Sequence, residues 1–362
     1  MIDKYLYEYI YLFICIFFLI WYLRDYKIPN VSNGTQKGIS LTIFIIVVVF
    51  STLIGIRPMS VGSDTIQYAQ QYYFVKGEPF SWQSNTDNIL FDNLFAFFGS
   101  LNLDISSFFI FIATIYFSCI AFASKKMFPQ NTEIAFFSYL VAFSTFSYGT
   151  DGIKAGAGAA IFLVAMAYRE KKMTSILLAL ISIGFHHSMV VAVYAYIISL
   201  LYKNTRMYFF GWAFATVIAI MHINVFQEIF AGFADETGKD YLTTSDGYMT
   251  GFRPDFILYS AMPVLIGYIM FVKRKVRNDV YEFLLRIYLT TNSVWMLCMY
   301  ASYTNRIAYL SWFMYPFVLL YPYLSISLGP YQVKETKTVV QYHMWFTAFM
   351  VIIYYGLMPL LR

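Results

Sequence analysis

The sequence predicts an all-α membrane protein with many transmembrane helices. Hydrophobic residues occupy 59% of its 362 positions, and aromatic residues alone occupy 21%. Charged residues make up 12%, compared with about 25% in a typical soluble domain. Apolar runs of about 20 residues, long enough to cross a bilayer, recur along the whole chain. These observations exclude a water-soluble fold, and the net charge of +5 is therefore not read as a sign of nucleic-acid binding.

A hydropathy window predicts about twelve transmembrane helices, so we interpret 1–362 as a single integral membrane domain. The fifth, sixth and seventh predicted spans are short, and one of them is a candidate re-entrant segment. The apolar stretch Ile89–Leu101 is too short to cross, which predicts an interfacial helix or a core plug. The predicted spans lie near 5–23, 40–56, 105–123, 132–148, 153–168, 172–186, 188–202, 207–223, 256–272, 280–300, 306–328 and 338–358.

Basic residues are unevenly divided between the two alternating sets of loops. Sixteen of the 25 lysines and arginines fall in one set, eight fall in the other set and the termini, and Arg286 lies within a span. The positive-inside rule assigns the richer set to the cytoplasm. Both termini and two longer segments, 57–104 and 224–255, are then predicted to face outward. Arg286, close to the cytoplasmic end of its span, is predicted to snorkel to that surface.

Neither the cysteines nor the histidines predict a metal site. Cys15, Cys119 and Cys298 all lie in apolar runs, which is typical of small core residues. Adjacent His186 and His187 are about 100° apart on a helix, so they do not readily bind one ion. The chain also lacks GxxxxGK[ST] and GxGxxG motifs for nucleotides. We therefore predict no metal and no cofactor.

Polar residues recur at the predicted outer ends of five separate segments. If the bundle is compact, these ends surround one cavity. Four of the residues are cations, which favours an anionic ligand because an arginine can bind two phosphate oxygens at once. A buried cation needs a partner, and Asp64, Asp151 or a bound diphosphate could serve. The residues are Arg57 and Asp64, Asp151 and Lys154, His186 and His187, Arg253, and Asn305 and Arg306.

Each of these residues also has an ordinary structural interpretation. An arginine at a helix end commonly extends to lipid headgroups. Asp64 could simply cap a helix that begins at Thr65. The small-residue run AGAGAA after Lys154 is typical of tight helix packing in membranes. Clustering of many such residues on one side is the stronger signal.

The order of the motifs resembles the EpsG/Wzy-type polysaccharide polymerase family. The family's second motif resembles N-x-I-R-Q-x-x-A, and here DGIKAGAGAA carries lysine for arginine and lacks the glutamine. A lysine keeps the charge but loses the two-pronged geometry. The matching residues are Arg57, Gly62, Asp64 and Tyr68 for R-x4-G-x-D-x3-Y, then Asp151, Lys154 and Ala155, then His186 and Ser188 for H-x-S, and finally Arg306 and Tyr309.

The resemblance implies a GT-C-like glycosyltransferase in the bacterial inner membrane. Such enzymes join oligosaccharide repeat units carried on undecaprenyl diphosphate at the periplasmic face, producing O-antigen, capsule or exopolysaccharide. The lipid diphosphate leaves, inversion is the expected stereochemistry, and no metal is required. The implied partners are lipid-linked donors and acceptors, membrane lipids and a chain-length regulator.

The resemblance also implies roles for the candidate residues. Fixed cations would stabilise charge on the departing diphosphate, and His186 would accept the acceptor hydroxyl's proton. Asp64 is the rival base, or the residue that orients Arg57. The predicted catalytic residues are thus His186, Asp64 and Arg57. The predicted binding residues are Arg57, Lys154, Arg253, Arg306, Tyr68, Asp151, His187, Asn305 and Tyr309.

Aromatic residues of the two outer segments offer a further prediction. Flat aromatic faces suit the C–H surfaces of sugar rings. Aromatic residues also gather at membrane surfaces for reasons unrelated to ligands. The candidates are Tyr72, Tyr73, Trp82, Tyr241 and Tyr248.

Two other functions are open to a chain of this class. A lipid-linked oligosaccharide flippase fits twelve spans, but transporters are typically built from related halves with polar residues near the midplane. The two halves of this sequence show no convincing repeat, and its polar residues gather at one face. A membrane O-acyltransferase of polysaccharide would use a histidine near its cytoplasmic acyl donor, whereas His186 and His187 are predicted outside.

Overall fold

A computed structural model describes residues 4–27, 38–231, 236–243 and 250–357. Over these residues the chain forms helices and turns without any strand, as the sequence predicts. They divide into two compact units, Met1–His186 with Tyr323–Arg362, and His187–Pro322. Tyr248 and the side chain of Tyr241 fall outside the described part of the chain.

The first unit contains ten helices within its described part. The last of them, α18, continues as a π-helical turn over Ile352–Leu357. The helices are α1 (Lys4–Arg24), α2 (Leu41–Gly55), α3 (Thr65–Val75), α4 (Ile89–Ser100), α5 (Ile105–Met127), α6 (Thr132–Leu140), α7 (Phe143–Thr150), α8 (Ile153–Ala167), α9 (Lys172–Phe185) and α18 (Gln332–Val351).

The second unit contains the helices between α9 and α18. A π-helical turn, Ile269–Lys273, extends α14, and the last three residues of α17 belong to the first unit. The helices are α10 (Met189–Leu201), α11 (Thr205–Ile220), α12 (Val225–Ala231), α13 (Glu236–Thr243), α14 (Pro254–Tyr268), α15 (Asp279–Leu297), α16 (Thr304–Trp312) and α17 (Tyr315–Ser325). The segment 224–255, predicted as an outer loop, therefore contains α12 and α13.

Within the described ranges, four helical stretches are long and apolar enough to cross a bilayer: Leu6–Arg24, Ile105–Met127, Pro254–Lys273 and Thr304–Ser325. A fifth candidate is the pair α11 and α12, which is bent by 115°. Of the other predicted spans, 132–148 is divided by a break, and 40–56, 153–168, 172–186 and 188–202 have helices of only 13–15 residues. Helices α15 and α18, with 19 and 20 residues, are long enough but not apolar enough. The chain is thus a helical membrane protein, while twelve spans and a GT-C-like architecture stay predictions.

The predicted span 132–148 is broken between α6 and α7. A break leaves main-chain carbonyls without helical partners, which is costly inside a membrane unless side chains satisfy them. Here the Tyr11 hydroxyl donates to the carbonyl of Leu140 over 3.0 Å. The Thr145 hydroxyl donates to the carbonyl of Tyr139 over 2.7 Å. These hydrogen bonds stabilise the break.

Close packing of α2 on α5 fixes the point at which α2 ends. A Cβ on Gly55 would lie 2.7 Å from Cα of Ile110, so no larger residue fits there. Helix α5 also packs against α8, which packs against α9. The α2–α5 contact therefore locates the segment that begins at Ile56.

Helix α4, within Ile89–Leu101, packs against α3, α5 and α9. Phe91 and Phe95 are buried in a cluster with Phe108 and Tyr72. This packing favours the core-plug alternative for the segment. It also gives Tyr72 a place in the core, so Tyr72 is not available for sugar stacking.

In the second unit, Arg286 does not snorkel as predicted. It is buried, and its Nη1 donates to Oγ1 of Thr205 over 3.1 Å. The Thr205 hydroxyl donates in turn to Glu282 over 3.0 Å. The carboxylate of Glu282, one helical turn earlier, offsets the cost of burying the guanidinium, so Arg286 can be buried instead of extending to the membrane surface.

Candidate active site

The segment between α2 and α3 is fastened by Arg57. Its side chain is only 3% exposed. Three nitrogens of the guanidinium each donate a hydrogen bond: Nε to Oγ1 of Thr65 over 3.1 Å, Nη1 to the carbonyl of Ile54 over 2.8 Å, and Nη2 to the carbonyl of Thr150 over 3.0 Å. Arg57 therefore joins the end of α2, the start of α3 and the end of α7.

Gly62 and Asp151 complete this junction. Gly62 has φ +88°, and a Cβ there would lie 2.8 Å from Oγ1 of Thr65 and 2.9 Å from the carbonyl of Thr150. Asp151 accepts hydrogen bonds from the main-chain N–H of Ser63 and, over 2.9 Å, from its hydroxyl. Gly62 of the first motif and Asp151 of the second are thus explained by the contact between the two segments that carry them.

The charge of Arg57 is held among apolar and acidic neighbours. Its guanidinium lies 4.1 Å from the centroid of the Phe109 ring. Burial lowers the pKa of Arg57 to about 10, and the nearby charge of Asp151 opposes that shift. The side chain consequently stays cationic at neutral pH.

Asp64 and Tyr68 lie on the same segment in different surroundings. Asp64 precedes α3 but its side chain makes no capping hydrogen bond, so capping does not explain it. Instead it accepts from the Ser63 hydroxyl over 3.0 Å and stays half-buried. Tyr68 is buried between Phe91 and Phe109, with ring centroids 6.2 Å and 6.3 Å away.

Lys154 is paired with a carboxylate that the sequence did not single out. Its Nζ lies 2.9 Å from Oδ1 of Asp92 on α4, and both side chains are largely buried. Lys154 also lies 5.0 Å from the centroid of the Phe91 ring. Asp64 and Asp151 were the predicted partners of the cations. Lys154 instead pairs with Asp92, because the packing of α4 inside the unit brings Asp92 next to it.

The two histidines lie at the end of the first unit and the start of the second. His186 follows α9, and its main-chain N–H donates to the carbonyl of Ser182 over 3.1 Å. The carbonyl of His187 accepts from the N–H of Val190 over 3.0 Å, where α10 begins. Both side chains are half-buried. Solvent and ligand can therefore reach both imidazoles in part.

In the second unit, Arg253 precedes α14 and is held by Asp255. Nε donates to Oδ1 over 3.0 Å and Nη2 to Oδ2 over 2.7 Å, the parallel geometry that arginine favours. The guanidinium also lies 3.8 Å from the centroid of the Phe256 ring. Two fixed contacts thus orient this cation.

The start of α16 carries three predicted residues. Arg306 lies 5.0 Å from the centroid of the Tyr303 ring, and Tyr303 itself adopts a left-handed conformation with φ +50°. The Oδ1 of Asn305 is buried and accepts no hydrogen bond from the residues that the structure describes. Tyr309 is buried, with its ring centroid 5.6 Å from that of Trp312. Convergence of all the cations on one cavity stays a prediction from the sequence.

Comparison with known proteins decides the family. The family model described as the EpsG family matches residues 40–360. The chain belongs to the EpsG family. No curated protein and no solved structure gives a match. The resemblance to EpsG/Wzy-type polysaccharide polymerases predicted from the motifs is thus confirmed.

Sequence reasoning missed Glu8 in this EpsG-family chain. Glu8 lies on the spanning helix α1, is 4% exposed and lies close enough to Asp151 for their charges to interact. It lines a small cavity with Phe143 and Leu140 at the break between α6 and α7. A carboxyl group inside a predicted span is itself a functional signal. That rule would have found Glu8.

Sequence reasoning also missed His222, which follows α11. Its φ of +58° is an unusual conformation for a residue other than glycine. The imidazole lies between two aromatic rings, with centroids 5.5 Å away for Phe252 and 5.3 Å for Tyr300. Phe252 directly precedes Arg253 in the chain. Nothing in the local sequence predicts this stacking.

Proposed function

We propose that this EpsG-family chain is a membrane glycosyltransferase that polymerises oligosaccharide repeat units linked to a lipid diphosphate. The reaction takes place at the periplasmic face of the bacterial inner membrane. One observation carries the proposal: Arg57 and Asp151 tie the first two motifs of the family into a single polar junction. Family membership supports a polymerase acting on polysaccharide.

The reaction is a single displacement at the anomeric carbon of the donor. A hydroxyl oxygen of the acceptor unit forms the new glycosidic bond. The bond to the diphosphate oxygen breaks, its electron pair leaves on the lipid diphosphate, and the configuration inverts. A side chain takes the hydroxyl proton. Negative charge grows on the leaving group, so fixed cations accelerate the step without a metal.

The first unit supplies the base in this proposal. His186 is half-buried, and histidine is the residue type best suited to proton transfer near neutral pH. Asp64 is the rival base. Arg57 acts as a positioning residue, because its nitrogens are engaged by protein oxygens. Lys154, held by Asp92, provides positive charge at the start of α8.

The second unit supplies contacts to the diphosphate and the glycan. Arg253 and Arg306 are oriented by aromatic rings and, for Arg253, by Asp255. The buried Oδ1 of Asn305 can accept a hydrogen bond from a sugar hydroxyl. His187 and Tyr309 complete the proposed binding set.

The test replaces His186 with alanine in a strain that depends on this chain. Surface polysaccharide is then separated on a gel, and the purified variant is incubated with lipid-linked repeat units. We expect single repeat units without a ladder, and about a hundredfold slower chain growth in vitro. Asp64→Asn, run in parallel, identifies the base as the residue whose loss changes the pH profile of the rate.

The control is Lys76→Ala, which removes an exposed ion pair with Asp104 and should leave the ladder intact. Persistent ladders with reduced acetyl content would overturn the proposal in favour of an O-acyltransferase. Lipid-linked units that accumulate on the cytoplasmic face would overturn it in favour of a flippase.

A further inference from the structure

Helix α3 carries a buried face that packs within its unit. Tyr68 and Tyr72 point inward, where the Tyr72 ring lies 5.1 Å from that of Phe95. The Tyr72 hydroxyl donates to the carbonyl of Leu103 over 3.2 Å. This face fixes the orientation of α3 about its own axis.

A second face of α3 is apolar and uncovered. Ile66 is 52% exposed, Tyr73 78% and Phe74 77%. These residues line a shallow groove of about 420 Å³ together with Met59, Ala69 and Gln70. No charged residue lies between Asp64 and Lys76. In water such an apolar face would be unfavourable, so we expect an apolar occupant.

A third face of α3 is polar. Gln67 and Gln71 lie one turn apart and are exposed, on a different side from Ile66 and Tyr73; Phe74 borders this polar side, and Gln70 is a polar residue within the groove. One helix thus presents a protein-facing side, an apolar side and a polar side. That division is typical of helices that lie in the plane of a membrane surface, where aromatic residues are also enriched.

The uncovered face continues an apolar surface that runs along α2. Phe44, Val48, Leu53 and Ile56 on and just after α2 are exposed, as expected for side chains that face lipid. Met59, in the segment that follows, is exposed and lines the groove of α3. A groove that continues a surface of this kind favours lipid as its occupant.

We propose that α3 lies in the membrane–water interface at which α2 ends, with phospholipid acyl chains filling its groove. Asp64, directly before α3, is then held at the depth of the lipid headgroups. Arg57, Gly62 and Asp151 link that depth to the rest of the unit. The inference rests on α3 and its surroundings and does not depend on the reaction proposed above.

Spin labelling of the full chain in phospholipid nanodiscs tests this placement. Cys15, Cys119 and Cys298 are first replaced by alanine. Single cysteines are then introduced by Ile66→Cys and Tyr73→Cys on the apolar face, and by Gln67→Cys and Gln71→Cys on the polar face. Collision rates with oxygen report lipid, and collision rates with a water-soluble nickel complex report water.

We expect the oxygen-to-nickel ratio to be several-fold higher for the labels at 66 and 73 than for those at 67 and 71. Equal, water-like ratios at all four positions would overturn the proposal. The same water-like ratios would be found if the groove bound only lipid-linked substrate, because the nanodiscs contain none. Phospholipid would then not be the occupant. Spin–spin broadening at 73 that disappears on dilution with unlabelled protein would instead identify a second copy of the chain.

Labelled variants are compared only if they keep the unfolding midpoint of the cysteine-free parent. The four positions are all exposed, so labels there should be tolerated. No polymerisation is measured. Failure of the interfacial placement is therefore distinguishable from failure of the glycosyltransferase reaction.

Discussion

Nη2 of Arg57 donates to the main-chain carbonyl of Thr150 over 3.0 Å, across 93 positions of sequence. This hydrogen bond joins the segment after α2 to the end of α7. The other engaged nitrogens bind Thr65 and the carbonyl of Ile54. Arg57 thus joins two motif segments, and its predicted role in binding the diphosphate stays a prediction.

Arg57→Lys tests whether geometry or charge matters at this position. A lysine keeps the charge but cannot donate in three fixed directions. The carbonyls of Ile54 and Thr150 then lose donors, and each buried group left unsatisfied costs about 1–3 kcal/mol. We expect a lower free energy of unfolding together with strongly reduced chain growth, measured by thermal unfolding and by the ladder assay. Unchanged stability with lost activity would instead indicate direct contact with substrate.

Gly62→Ala tests the close approach of the two segments. Alanine would be strained at φ +88° and would also collide with Thr65 and Thr150. The matched control is Gly77→Ala. Gly77 has a similar φ of +82°, but a Cβ there would meet only Oδ1 of Asn102, at 3.8 Å, which is an ordinary contact. The left-handed conformation alone costs about 1–2 kcal/mol. We expect Gly62→Ala to lower the unfolding midpoint clearly more than the control does; equal shifts would contradict the contact.

A double-mutant cycle on Lys154 and Asp92 tests their ion pair. The pair is largely buried, so each single change leaves a charge without its partner. We expect Lys154→Met and Asp92→Asn each to destabilise the protein. The double variant should lose less than their sum, by a coupling of about 0.5–3 kcal/mol. Additive losses in chemical unfolding would show that the pairing contributes nothing.

Arg253→Lys tests the oriented cation of the second unit. Lysine cannot reproduce the two parallel hydrogen bonds to Asp255. We expect chain growth to slow by about ten- to a hundredfold, measured as the initial rate with lipid-linked units. Arg277→Lys is the control, because Arg277 also stacks on an aromatic ring, Phe271, 3.8 Å away, but lies in a predicted cytoplasmic loop. Equal effects of the two changes would argue against a role in substrate binding.

Glu8→Gln tests the buried carboxyl group of α1 that sequence reasoning missed. Glu8 is 4% exposed, and Asp151 lies within electrostatic reach. Glutamine keeps the shape but cannot ionise, so burying it beside Asp151 costs less than burying a carboxyl group that is charged in the unfolded chain. We expect the unfolding midpoint to rise by about 2–4 °C, the shift that roughly 1 kcal/mol produces in a unit of this size. A lower midpoint would mean that the carboxyl group makes a stabilising contact.

The sequence predicted the class of the fold and the first junction of the site better than it predicted individual partners. Arg57, Gly62 and Asp151 were recognised by type and spacing, and they do meet in one unit. Hydropathy identified the apolar segments because segments buried in lipid or protein are enriched in apolar residues. It did not identify the break between α6 and α7, since the freed carbonyls there are satisfied by Thr145 and by Tyr11 of the distant helix α1, and hydropathy does not report such contacts.

The pairing of charges could not be read from order along the chain. Asp92 belongs to a short apolar helix, and only its packing inside the unit brings it to Lys154. Asp255, by contrast, lies two residues from Arg253, and that spacing alone could have suggested the pair. His222 needed the three-dimensional arrangement, because its aromatic neighbours are 30 and 78 positions away.

The contact between Gly55 and Ile110 has a consequence for engineering this chain. The seam leaves no room for even one methyl group, and Arg57 follows it by only two residues. Substitutions intended to change substrate preference should therefore avoid Gly55 and Ile110 and be made at positions away from this contact. A single added carbon at 55 would push the whole anchoring segment outward and misplace every polar atom attached to it.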